Sequence, residues 1–118
     1  MQPKSASTMV PTVRQQDDAV IASLAGEIDL HSSPEVRKVL LDLLAKHQPK
    51  KLVLNLGDVP YMDSSAIAVL VESLQKVRKS GGKVYLTNLQ PRVKGLLEIA
   101  RLDTIFVIVP GEADALKK

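Results

Sequence analysis

The sequence has no cysteine and no tryptophan, and among its 118 residues only Tyr61, Tyr85 and Phe106 are aromatic. Without thiols there are no disulfides and no thiolate metal centres, and a reducing, cytoplasmic setting is expected. So few aromatics leave no stacking platform for single-stranded nucleic acid. A strong charge of one sign is missing too. The net charge is +3, with small cationic groups at Lys50-Lys51, Lys76-Arg78-Lys79 and Lys117-Lys118. Groups of that size read as solvated faces and helix C-termini, so no nucleic-acid partner is expected. Long apolar runs are also absent. The most apolar stretch, Ala66 to Val71, falls far short of the roughly 20 residues of a membrane span. The first nine residues carry one lysine and no apolar core. They read as a disordered lead-in and not as a secretory signal, which leaves residues 10–118 as a single domain.

The patterning that remains is regular. Val10 to Gln16 reads as a strand, at a sheet edge because Pro11 has no N–H to donate. Asp17-Asp18 is a turn, and Ala19 to Ala25 returns as the second arm of a hairpin. Gly26 to His31 extends that arm and departs into a loop. Ser33 as cap and Pro34 as first residue open a helix, with Val36, Val39, Leu40, Leu43 and Leu44 as its apolar stripe. Gln48-Pro49 stops it. Lys51 to Leu56 is apolar enough for a strand buried on both faces.

A second helix is predicted over Ser64 to Ser80, with Ile67, Leu70, Val71, Leu74 and Val77 facing the core and Gly81-Gly82 ending it. Val84 to Thr87 is a strand, and Pro91 opens a third helix carrying Val93, Leu96, Leu97 and Ala100. Ile105 to Val109 is a last strand, and Gly111 to Lys118 is a short helix or tail. The order β-β-α-β-α-β-α-β, followed by that last short helix or tail, implies an α/β fold. Its sheet is mixed, with an antiparallel edge and parallel strands joined by right-handed crossovers, and its helices pack mainly on one side.

Enzyme chemistry lacks its parts. Hydrolysis by a serine nucleophile needs an adjacent base, yet the only histidines are His31 and His47, and no nucleophile elbow is present. His47 reads as a structural histidine at the end of the first helix. Glu27, Asp29 and His31 would share one face of an extended strand. That spacing matches no metal motif, and a charged rim is the plainer reading. No phosphate-binding glycine loop is present either.

Tyr61-Met62-Asp63-Ser64-Ser65-Ala66 stands apart. A strand runs into a polar loop that ends in Asp-Ser-Ser, where a helix begins. Free N–H groups and the helix dipole favour anions at such a point. Two readings stay open there, a simple cap or a site where phosphate is added and removed. Ala66, Ala68 and Val69 lie off the stripe and have two readings, an exposed face that a partner covers or packing against a neighbouring helix, and the first places Ala66 and Val69 on the contact surface. A phosphate beside Asp63 would place roughly two negative charges in that face.

These residues, with Gly26-Glu27-Ile28-Asp29, Pro34, Val53-Leu54-Asn55-Leu56, Gly81-Gly82 and Leu89-Gln90-Pro91-x-Val93-x-x-Leu96-Leu97, resemble the STAS-domain family. Within that family the similarity is to the bacterial anti-sigma factor antagonists. The resemblance implies a STAS fold with no catalytic activity and no cofactor or metal. It implies that the unphosphorylated form binds a serine-kinase anti-sigma factor and so frees a sigma factor. Phosphorylation of the serine after the motif aspartate would abolish that binding, and a PP2C-type phosphatase would reverse it. Carried over, the phosphorylated residue is Ser64, with Ser65 as second choice. The partner-binding surface is Asp63, Ser64, Ser65, Ala66, Val69, Glu27, Asp29, His31, Ser32 and Ser33. Ala66 stands where the family carries glycine, and Arg101-Leu102 where it often carries Gly-Leu. The alternative is a non-phosphorylated STAS subunit of a lipid-transport ATPase complex or another regulatory scaffold, with Ser64 only a cap.

Overall fold

Leu52, Val53 and Leu54 are buried on both faces because their strand lies at the centre of the sheet. A computed structural model describes residues 7–117. Its five strands are β1 (Thr12–Gln16), β2 (Ala19–Ala25), β3 (Lys51–Asp58), β4 (Lys83–Thr87) and β5 (Val107–Val109). They lie side by side in chain order, β1 antiparallel to β2 and the others parallel. Helices α1 (Ser33–His47), α2 (Ser64–Lys79) and α3 (Pro91–Ile99) follow β2, β3 and β4, and α4 (Glu112–Lys117) closes the chain.

Strand alternation sorts the side chains. Leu52, Leu54 and Leu56 of β3 join Val36, Leu40, Leu70, Leu74, Val93 and Leu97 in one core under α1, α2 and α3. On the other face Val53 packs with Ile21, Tyr85, Val109 and Ala115 under α4. The helices therefore do lie mainly on one side. α4 is held at both ends. Glu112 accepts from Arg14 at 2.9 Å and from Asn55 at 2.7 Å, and the Lys51 ammonium donates to the carbonyls of Ala115 and Leu116 at 3.2 and 3.3 Å. A cation on the last carbonyls of a helix is favoured by its dipole. No helix among the described residues is long and apolar enough to cross a membrane.

Several boundaries differ from the sequence reading, most by one or two residues: β1 starts at Thr12, α2 ends at Lys79 and β4 starts at Lys83. Part of the expected lead-in, residues 1–6, lies outside the described residues. Residues 7–9 join the fold. The Met9 carbonyl accepts from the Ala25 N–H at 2.9 Å, and the Ser7 hydroxyl donates to the Glu35 carboxylate. The α1 cap is Ser32, not Ser33, and Pro34 takes the second helical position, where its missing N–H also costs nothing. β3 runs on to Asp58. β5 starts at Val107 because Ile105 and Phe106 fold back, their N–H groups donating to the Leu102 carbonyl at 3.2 and 3.3 Å.

That fold-back follows an α3 terminus of the Schellman type. Leu102 N–H donates to Leu97 O at 2.9 Å and Arg101 N–H to Glu98 O at 3.0 Å. The geometry puts Arg101 at φ +60°, a conformation that suits glycine. Arg101→Gly is therefore expected to stabilise the fold by about 0.5–1 kcal/mol, the relief of strain exceeding the added freedom of the unfolded chain. A urea midpoint no higher than that of the wild type would contradict it.

Candidate functional site

The site lies at the C-terminal ends of β2 and β3, where a parallel sheet opens toward its loops. Pairing between the two strands continues past their ends. Gly26 N–H donates to Asp58 O at 2.9 Å, Ile28 N–H to Tyr61 O at 3.0 Å, and Asp63 N–H to Ile28 O at 3.2 Å. Ile28 and Met62 form a parallel bridge there, and both are buried. Two loops far apart in sequence are thus fixed side by side. One delivers Asp29, the other Asp63.

Asp63 is the N-cap of α2, in extended conformation at φ −113° and ψ −169°. Its carboxylate accepts from the Ser65 N–H at 2.9 Å, the Ala66 N–H at 3.4 Å and the Ser65 hydroxyl at 2.5 Å. The Ser65 hydroxyl, followed by these amides, holds the Asp63 carboxyl below its ordinary 3.8, against a smaller opposing effect of burial. Asp29 is lowered in the same way, first by the Ser32 N–H, with the His31 N–H and the Ser32 hydroxyl adding to it.

A group depressed on folding contributes stability above its unfolded pKa, and that contribution is lost as pH falls through the folded value. The melting midpoint is expected to be insensitive to these two carboxylates above about pH 5 and to fall below about pH 4. Asp63→Asn keeps a capping side chain. It should melt a few degrees below the wild type at pH 7, with the gap closing as pH is lowered. A gap that widened toward acid would contradict this.

The two serines are not equivalent. Ser65 is half-buried and its hydroxyl is committed to Asp63. Ser64, the first residue of α2, is exposed, and its hydroxyl has no hydrogen-bond partner among the described residues. A free hydroxyl at the positive end of a 16-residue helix, beside a carboxylate fixed in place, is a surface to which a phosphate can be added without disturbing the fold.

The neighbouring loop is closed by its own hydrogen bonds. The Asp29 carboxylate accepts from the N–H groups of His31 at 2.9 Å and Ser32 at 3.1 Å. The Ser32 hydroxyl accepts from the Asp29 N–H at 3.0 Å and donates to the Glu27 carbonyl at 2.8 Å. The chain turns at Asp29, so Glu27, Asp29 and His31 do not form the shared strand face expected of an extended segment. Glu27 and His31 point to solvent, and Asp29 and Ser32 are half-buried.

Three of the predicted surface residues are misplaced. Ala66 and Val69 were expected on an exposed face, but they are 2% and 5% exposed and belong to the core. Ser33 is buried too. The inward face of α2 is Ala66, Val69, Leu70, Ser73, Leu74 and Val77, whereas Ile67 and Val71 are only half-buried. The helical period was read correctly and its phase was off by one residue, because the buried Ser73 disguised the true stripe. The Ala66 methyl group is therefore a packing group and not part of a contact surface. Of the exposed side chains nearby, Ala68 lies one turn into the helix.

Two neighbours were not among the predicted surface residues. Leu30 is 73% exposed, held between Asp29 and His31. Tyr61 is at the edge of exposure, with the Arg92 guanidinium 5.5 Å from its ring centre. A leucine inside an otherwise polar Asp-x-His-Ser-Ser run was the available signal for the first. Nothing local in the sequence brings Arg92 to Tyr61.

The sequence profile of the STAS domain matches residues 10–115. The chain is 38% identical to the anti-sigma-B factor antagonist of Bacillus subtilis, over 81% of this chain and 86% of that protein. It is 31% identical to the anti-sigma F factor antagonist of Paenibacillus polymyxa, over 82% of this chain and 83% of that one. A crystal structure of an anti-sigma factor antagonist from Mycobacterium paratuberculosis superposes with a TM-score of 0.80 at 26% identity, covering 89% of this chain and 88% of that one. With this sheet order, these helix positions and a match along nearly its whole length, the chain belongs to the STAS-domain family, among the anti-sigma factor antagonists.

Proposed function

We propose that this chain is a phosphorylation-switched binding module. Unphosphorylated, it docks the end of the sheet that carries Asp63, Ser64 and the loop from Glu27 to Ser32 onto a serine-kinase anti-sigma factor, and a sigma factor is released. The kinase transfers phosphate to Ser64, and a PP2C-type phosphatase removes it. The chain itself does no chemistry beyond offering the hydroxyl.

The contrast between the two serines carries this reading. Ser64 is exposed with a free hydroxyl, whereas Ser65 is half-buried and bonded to Asp63 at 2.5 Å. A kinase that must place a hydroxyl in line with a phosphoryl donor needs one that is accessible and unengaged. The named relatives support the partner class. A phosphate on Ser64 would bring about two negative charges to the centre of a contact that must lose its water, next to a carboxylate that is already ionised. The pair Ser64→Ala and Ser64→Asp tests the proposal, by affinity for the purified anti-sigma factor. Equal affinities would end the switch reading.

A further inference from the structure

A single exposed leucine on a protein surface is ordinary. Leu30 is set apart by its frame. Its loop is tied to the start of α2 by the Asp63 N–H, which donates to the Ile28 carbonyl at 3.2 Å. The residue two before it is locked to the other loop by Ile28 N–H to Tyr61 O at 3.0 Å. The turn around it is closed by Ser33 N–H to Asp29 O at 2.8 Å and by the two amides on the Asp29 carboxylate. Backbone order of that kind usually accompanies a side chain that packs, yet the Leu30 side chain is 73% exposed. With the backbone already fixed, burying this side chain on association costs only its own rotamer freedom, so the contact area is gained at a reduced entropic cost.

Its surroundings define what can cover it. Glu27 and Asp29 precede it in the same loop, and Asp63 is bonded to the backbone of that loop at Ile28. The nearby cation Arg92 is stacked over Tyr61. The tip is therefore apolar with an acidic collar, and it is continuous through Asp63 with Ser64.

We infer that Leu30 is the apolar anchor of the contact with the anti-sigma factor, seated in an apolar pocket rimmed by arginine or lysine side chains. The inference rests on the function proposed above and adds the residue that supplies affinity independently of the switch. Asp63 acts on both: its carboxylate caps the helix start that carries Ser64, and its N–H, bonded to the Ile28 carbonyl, holds the Leu30 loop in place.

The test measures affinity for each purified serine-kinase anti-sigma factor of the same genome by titration calorimetry, using wild type, Leu30→Ser and Leu30→Met. Leu30→Ser should bind about 30-fold more weakly or worse, as loss of a central anchor does, and Leu30→Met within about threefold. Both should keep the wild-type melting midpoint, because the side chain is exposed. The wild-type affinity should weaken as salt is raised, as a contact between carboxylates and a basic rim requires. Wild-type binding with Leu30→Ser equally tight would overturn the anchor and leave the proposed function standing. No wild-type binding to any of them would overturn both. Sedimentation showing a wild-type dimer that Leu30→Ser dissociates would make Leu30 a self-contact, and would also overturn the assignment.

Discussion

Ser64→Asp is expected to bind the cognate anti-sigma factor about 100-fold more weakly than wild type, and Ser64→Ala to bind within about twofold. The asymmetry follows from the position. The Ser64 hydroxyl is exposed and has no partner among the described residues, so its removal breaks no bond in the free protein. Alanine is also a better helix former than serine, so α2 should not suffer. Aspartate at the first position of a helix suits the dipole, so the variant should fold at least as well as wild type. Its penalty appears only on binding. A carboxylate next to Asp63 then has to give up its water against a surface shaped for a neutral hydroxyl, and leaving such a charge unpaired costs about 2–5 kcal/mol. A full phosphate carries more charge and should exclude binding more completely.

Calorimetry on the three proteins reads the effect. Phosphopeptide mapping of wild type after incubation with the kinase and ATP should place the phosphate on Ser64. Ser65→Ala should still be phosphorylated, though Asp63 loses its shortest donor. Phosphate found on Ser65 would show that the short bond to Asp63 opens in the complex, and the assignment made from the free hydroxyl would fail.

The sequence made the element order visible because each element is bounded by chemistry that admits few alternatives. Proline stands in the first turn of α1 and of α3, and Gly81-Gly82 ends α2. The near-continuous apolar run of β3 likewise announced a strand with two buried faces. What the sequence obscured was phase and proximity. On α2 a buried serine and an alanine in the core made the inward face look less apolar than the half-buried face of Ile67 and Val71, so Ala66 and Val69 were expected outside. Small residues are what a helix needs where it approaches a sheet and a second helix closely, and hydropathy alone does not register that. The site was legible as a local string, Asp63-Ser64-Ser65, because capping is a local interaction. Its other half, the turn that presents Leu30, depends on the bridge between Ile28 and Met62, a pairing across the sheet that no short-range pattern encodes.

The largest expected loss of stability away from the site is at Gly82. A Cβ there would stand 2.7 Å from the Lys50 carbonyl oxygen, 2.9 Å from the Pro49 carbonyl oxygen and 2.7 Å from a Val77 methyl. The two oxygens belong to backbone that cannot retreat. Lys50 N–H is tied to Asp18 O, and Lys50 O accepts from Lys83 N–H at the start of the β3–β4 pairing, both at 2.9 Å. Gly82→Ala is therefore expected to cost about 2–3 kcal/mol, as overpacking against fixed neighbours does, and to lower the melting midpoint by roughly 10 °C. Gly81→Ala provides the contrast. Gly81 sits at φ +79°, so alanine there is strained, but its Cβ would meet only the movable Lys50 ammonium at 3.4 Å. That variant should lose about 1–2 kcal/mol. The order of the two midpoints decides between steric contact and backbone conformation as the reason for the pair of glycines; Gly81→Ala melting lower would reverse the argument. Both residues lie at the end of the sheet opposite Ser64, where β3 and β4 begin. At a temperature where both variants are folded, their affinity for the anti-sigma factor should match that of the wild type. This separates the residues that keep the sheet closed at one end from those that make the contact at the other.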